Sequence, residues 1–245
     1  MEEKQVLISQ IRIFLIFKEG ISMIKAILFD MDGTVIDSIK SDFEAFRKAF
    51  EQFHYNLSYQ AYIEKTGARG EEIVAAIAPE LSAGEIEKLL RQKEENFKTL
   101  ARQNKPEAVK GIELILRRAK EIPLWTALAT GAKRKKVDFI LNRVEIAQYF
   151  DVILTADDVS IGKPAPDIFL AAAHKLHVQP SECIVFEDAE MGIEAAKRAK
   201  MHCIAIVNST PKEMLQKADL VIENYADLHL EEYIETINRA AINKH

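Results

Sequence analysis

From Ile24 onward, short apolar runs alternate with longer segments in which apolar residues recur every three or four positions. Runs at 26–29, 124–129, 152–154, 183–186, 203–207 and 220–222 have strand length. They are near-continuous rather than alternating, the pattern of strands covered on both faces of a parallel sheet. Between them the helical period predicts helices over 112–121, 135–142, 165–174 and 191–200. Strands alternating with helices predict βαβ units and an α/β, doubly wound core.

One stretch breaks the alternation. From 38 to 104 the chain carries only helical periodicity, with breaks at Gly67, Pro79 and Gly84. Ser82 followed three residues later by Glu85 reads as a capping box opening a long helix. An all-helical stretch after the first strand cannot join the sheet. It is expected to form an inserted cap domain over 38–104, with the core built from 23–37 and 105–245 and linkers near 37–40 and 104–111. Residues 1–22 are read as an N-terminal extension, either a loose appendage or no part of the native protein, with Met23 as the natural start. Their apolar stretch is interrupted by Gln10 and Arg12, too short and polar for a membrane span. The acidic Glu2 and Glu3, with no small-residue cleavage site behind the stretch, do not fit a secretory signal.

Composition narrows the partners. The chain has 245 residues, 48% hydrophobic and 29% charged, and a net charge of -5. That balance excludes a protein built mainly to hold nucleic acid, and no segment predicts a membrane partner. Cys183 and Cys203 are too few for a disulfide framework. They read as buried thiols in a reducing compartment, hence a cytoplasmic protein, as monomer or dimer.

The chemistry gathers at strand ends, where open α/β sheets bind ligands. Phe29-Asp30-Met31-Asp32-Gly33-Thr34 closes the first strand. Asp30 can serve as nucleophile and metal ligand, Asp32 is spaced to give a proton to a leaving oxygen, and Gly33 permits close approach of a phosphate. A solvated Asp-Gly turn is the plainer alternative. Thr130-Gly131 follows the second strand and could hold phosphate oxygens or simply N-cap a helix. Lys163 lies in Gly-Lys-Pro-Ala-Pro-Asp, where two prolines stiffen the loop. Glu187-Asp188 ends a later strand, and adjacent buried carboxylates repel unless a cation sits between them. Mg²⁺, a hard ion suited to carboxylates and phosphate oxygens, is the natural candidate.

These four elements, in this order, resemble the haloacid dehalogenase-like hydrolase superfamily, in the branch with a helical cap after the first strand. The resemblance runs from Ile24 to the end of the chain. It implies a Mg²⁺-dependent phosphatase acting on a small phosphorylated metabolite. Asp30 would form an aspartyl-phosphate, and Asp32 would protonate the leaving alcohol and then activate water. Asp30, the Asp32 main-chain carbonyl, Glu187 and Asp188 would hold the metal. Thr130, Gly131 and Lys163 would bind phosphate. The retained Asp32 argues against the dehalogenase and phosphonatase members.

The β-phosphoglucomutase-like members are the nearest alternative. They carry histidine twelve residues after the nucleophile, where this chain has Asp42, and their cap arginine follows a glycine by three positions, whereas Arg69 follows Gly67 by two. Both departures favour phosphatase over mutase. Lys65, Gly67, Arg69 and Glu71 are candidate specificity residues of the cap. The basic run 133–136 reads as a solvated face, although cations at a helix start call for compensation. His174 and His177 lack a further ligand for a metal site. Trp125 reads as core. A receiver domain also uses a phosphorylated aspartate with Thr and Lys, but there the acidic pair lies near the first strand, not late in the chain.

Overall fold

The computed structural model describes residues 23–208 and 210–242, so the expectation for 1–22 lies outside the described residues. Strands β1 (Ala26–Phe29), β2 (Trp125–Ala129), β3 (Val152–Leu154), β4 (Cys183–Glu187), β5 (His202–Ile206) and β6 (Leu220–Ile222) form one parallel sheet. Its order is β3-β2-β1-β4-β5-β6. The chain builds outward from β1 to β3, then returns to the other side of β1 for β4. Connections leaving β1 and β4 therefore diverge, opening a crevice at their carboxyl ends.

Both faces of the sheet are covered, as the continuous apolar runs predict. Ile27 and Phe29 pack with Leu128, Ile184 and Phe186 against helices Ile112–Glu121, Arg134–Leu141 and Leu230–Ile242. Their neighbours Ala26 and Leu28 point the other way, toward helices Asp167–Lys175 and Glu190–Arg198. Phe29 and Phe186 are paired in register and stacked, with ring centroids 5.1 Å apart. Burying each such ring contributes about 1.5–3 kcal/mol. Because each directly precedes an acid, Asp30 or Glu187, this packing also fixes where the two acids emerge.

Among the described residues, none from 38 to 104 belongs to a strand. Helices Ile39–Gln52, Tyr59–Ile63, Gly70–Ile77 and Ala83–Gln103 form an insertion with its own apolar cluster, including Phe46, Phe50, Tyr62, Ile73 and Leu89. Met191, from the helix after β4, packs against that cluster and joins it to the core. The Ser82–Glu85 capping box is present, with the Ser82 N–H donating to Glu85 Oε2 at 2.9 Å. Gly84 is not a break. It lies in the first turn of the helix that the box opens. The two linkers run side by side: the Asp37 N–H donates to the Glu107 carbonyl and that of Val109 to Val35, both at 2.9 Å.

Trp125 corrects the expectation of a core residue. It is 52% exposed, because as first residue of β2 it stands at the amino-terminal margin of the sheet. Cys183 and Cys203 are free and buried, and burial pushes the Cys183 thiol up to about 12.

Candidate active site

Asp30 follows β1 directly and stays in the ladder, its N–H donating to the Phe186 carbonyl at 3.0 Å. Its side chain meets Lys163, whose Nζ lies 2.5 Å from Asp30 Oδ1 and 2.6 Å from Glu187 Oε1. The other Glu187 oxygen accepts the N–H groups of Asp188 and Ala189 at 3.0 and 3.2 Å. Thr34 Oγ1 donates to Asp188 Oδ1 at 3.2 Å. All four charged side chains are buried. Lys163 is thus no solvated lysine, and the two prolines that follow it, Pro164 and Pro166, lead into a helix starting at Asp167.

Oxygens of Asp30, Glu187 and Asp188 lie within 4.8 Å of one another, the one such acidic group among the described residues. Three buried carboxylates face one ammonium. Burial, opposed by Lys163 and reinforced by Glu187, pushes the Asp30 carboxyl up to about 7. Burial works against the Lys163 charge too, but Asp30 and Glu187 outweigh it and hold the ammonium above its usual range. The donor set is all hard oxygen with excess negative charge, and a divalent cation fits it. His174 and His177 are exposed and stand apart from this group.

Glycines make room for the acids. Gly33 has φ +86°, and a Cβ there would stand 2.0 Å from Asp188 Oδ2. Gly33→Ala is expected to displace Asp188 and lower turnover about 10²-fold, the usual cost of a 1 Å misplacement in a catalytic array. Steady-state kinetics beside a thermal melt check this; unchanged turnover would show that the Asp188 position is not critical.

Asp30 and Asp32 line a cavity of about 90 Å³ bounded on the other side by Tyr62, Gly67, Ile73 and Leu90 of the insertion. Thr130 and Gly131 line it as well. Thr130 is not a helix N-cap: the following helix starts at Arg134, with Lys133 at the cap position. The Thr130 hydroxyl accepts the Ala132 N–H at 3.1 Å. The helix start finds its compensation in Asp157, which accepts the Arg134 N–H at 2.9 Å. Gly131 is small because the insertion comes close: a Cβ there would lie 2.8 Å from the Gly67 carbonyl oxygen.

The cap candidates separate. Gly67 lines the cavity; Lys65 and Arg69 do not. Arg69 turns to the core, donating to the Ser160 and Ala156 carbonyls at 2.8 and 3.1 Å, and Glu71 pairs with Lys133 at 2.6 Å. The basic run is no solvated face either. Arg134 pairs with Asp158, Lys135 alone is exposed, and Lys136 is drawn inward.

Lys136 belongs to a second buried cluster. Its Nζ lies 2.8 and 2.9 Å from the two Asp32 oxygens and 2.6 Å from Asp42 Oδ1. Lys93 reaches the same Asp42 oxygen at 2.7 Å, and the Tyr62 hydroxyl donates to Asp42 Oδ2 at 3.0 Å. Ser38 Oγ donates to Asp32 Oδ1. The signal for this cluster was in the sequence. Asp42 falls on the apolar stripe Ile39-x-x-Asp42-x-x-x-Phe46, and Lys93 on the stripe Leu89-x-x-x-Lys93-x-x-x-Phe97. A charge on a buried helical stripe requires a partner.

A family model described as haloacid dehalogenase-like hydrolase matches residues 27–206. The chain belongs to that family. The fructose-1-phosphate phosphatase of Escherichia coli is 35% identical over 193 residues, covering 74% of this chain and 95% of its own. The phosphorylated carbohydrates phosphatase of Thermotoga maritima is 31% identical over 180 residues, covering 71% and 81%. A crystal structure of β-phosphoglucomutase from Clostridium difficile superposes with a TM-score of 0.80 at 28% identity, covering 90% of this chain and 99% of that one. The acid following β1 and the acidic pair at the end of β4 separate this chain from a receiver domain, where the acidic pair lies near the first strand. No helix among the described residues is long and apolar enough to cross a membrane.

Proposed function

We propose that this phosphatase hydrolyses a small phosphate monoester with Mg²⁺, through an aspartyl-phosphate on Asp30. The observation that carries the reading is the meeting of Glu187, Asp188 and Lys163 with Asp30, which lines the cavity under the insertion together with Asp32. Asp30, Glu187 and Asp188, with the Asp32 main-chain carbonyl, would hold the cation, which supplies positive charge for the transferring phosphoryl group. An Asp30 carboxylate oxygen attacks phosphorus, and the bond from phosphorus to the leaving oxygen breaks. Asp32 gives that oxygen its proton. It then takes a proton from the water that cleaves the acyl phosphate, returning Asp30 as a carboxylate. Lys163 offsets the negative charge on the phosphoryl oxygens, and the hydroxyl of Thr130 and N–H of Gly131 bind them. The insertion excludes bulk water from the cavity.

Hydrolysis is favoured over the mutase reaction by the charge of the cavity. Its lysines, Lys93, Lys133 and Lys136, are each paired with a carboxylate, so none is left to hold the second phosphate of a bisphosphate intermediate. The carbohydrate phosphates named for two relatives are the first esters to assay.

The test is phosphate release from sugar phosphates, phosphoglycolate and p-nitrophenyl phosphate, with Mg²⁺ and with EDTA. Release with Mg²⁺, lost at least about 10²-fold on chelation and recovered on adding the ion back, is expected for a metal that stabilises the transferring charge. Release indifferent to EDTA would overturn the metal assignment. Conversion of β-glucose 1-phosphate to the 6-phosphate without net release would establish the mutase.

A further inference from the structure

We infer that Lys136 is the positioning residue of Asp32: it grips both carboxylate oxygens and, with Ser38 filling Oδ1, leaves on Oδ2 the acceptor site that carries the proton. The inference rests on the reading of Asp32 as the proton carrier.

The two Asp32 oxygens are held unequally. Oδ1 accepts from both Ser38 Oγ and Lys136 Nζ, whereas Oδ2 accepts from Lys136 alone at 2.9 Å. A carboxylate oxygen has two acceptor sites, so Oδ2 keeps one for a proton in transit while Oδ1 is filled. The Asp32 side chain lines the cavity beside Asp30.

Lys136 itself has little freedom. Its side chain is only 10% exposed, its ammonium lies 4.8 Å from the centre of the Phe97 ring, and Asp42 Oδ1 holds it at 2.6 Å. Asp42 is in turn fixed by Lys93 and by the Tyr62 hydroxyl. The chain of contacts therefore runs from the insertion (Lys93, Tyr62, Asp42) through one core lysine to the reacting carboxylate. A lysine needed only to balance charge could sit anywhere near Asp32. One gripped by a ring and two carboxylates is placed.

The stem of Lys136 comes from the first turn of helix Arg134–Leu141, six residues beyond Thr130. The segment that supplies the phosphate-binding Thr130 and Gly131 thus also sets the direction of the acid. Neighbouring Lys135 is exposed and carries the same charge without these contacts, which makes it the natural control.

The deciding experiment is a double-mutant cycle on kcat/KM, using the best alkyl phosphate substrate and p-nitrophenyl phosphate, whose leaving group departs without a proton. Lys136→Met is expected to lose about 10- to 100-fold on the alkyl ester, a substantial part of a general acid's usual contribution. The loss on the aryl ester should be less than about threefold, and in the Asp32→Asn background Lys136→Met should cost nothing further. Lys135→Met should match wild type. If Lys136→Met does not fold, as judged by its melt, Lys136→Gln keeps a neutral donor on a shorter stem and is read by the same criteria. Equal losses on both esters, equal losses in both backgrounds, or no loss at all would overturn the assignment to Lys136. Should Asp32→Asn itself leave the alkyl ester rate intact, the proton-carrier reading fails, and the two failures are thereby told apart.

Discussion

Asp30→Asn is expected to lower phosphate release at least about 10⁴-fold, the scale on which removal of a covalent nucleophile acts. An amide has the shape of the carboxylate and can still accept from Lys163, but it does not attack phosphorus. The fold should not suffer. Burial raises the wild-type carboxyl to about 7, so the native state holds that charge at a cost that the neutral amide avoids. The metal-free variant is therefore expected to melt no lower than wild type at neutral pH. Near-normal turnover would remove Asp30 from its role. Lost turnover with a much lower melting temperature would point instead to a structural part for its charge.

The second large effect belongs to stability. Asp42→Asn removes the carboxylate shared by Lys93 and Lys136 and leaves buried cations short of a partner, which costs about 3–5 kcal/mol. Burial works against the Asp42 charge, but Lys136 and Lys93 outweigh it and hold the carboxyl well below the usual range. Burial and the neighbouring Lys136 push Lys93 down, so it is the member with least margin when Asp42 is neutralised. The sign with pH follows. A depressed carboxyl contributes stability above its unfolded value of 3.8 and loses it as pH falls through the lower folded value. Denaturant unfolding should thus show a wide gap between wild type and Asp42→Asn at neutral pH, closing as the medium is acidified below about pH 4. A gap that stays constant into acid would mean that the loss comes from packing, not from charge.

Much of the fold was legible because its signals are local. Apolar runs three to six residues long gave the strands, since a strand covered on both faces has no polar alternation to hide it. Element ends moved by a residue or two: β5 starts at His202 rather than Cys203, and β4 carries on through Glu187. Hydrogen bonding to a neighbouring strand, not side-chain character, decides where pairing stops. Trp125 failed for a similar reason, because exposure at the margin of a sheet depends on how far the covering helices reach.

The candidate site divides along the same line. Asp30, Asp32, Glu187, Asp188, Thr130 and Lys163 were readable because each sits at a strand end or in a stiff loop whose address is set by nearby residues. Lys65 and Arg69 were chosen by closeness in sequence to Gly67, and Arg69 instead ties the insertion to the carbonyls of Ser160 and Ala156.

What the sequence determined alone was the α/β alternation, the helical insertion after the first strand and the set of acids and cations at the strand ends, because periodicity and motif spacing are properties of short segments. Only the tertiary structure decided that Lys93 and Lys136, the latter 94 residues from Asp42, share the Asp42 carboxylate and that Lys136 also reaches Asp32. The reason is physical. A buried charge announces in sequence that it must be paired, but the choice of partner is made by which helices the packing of insertion on core brings together.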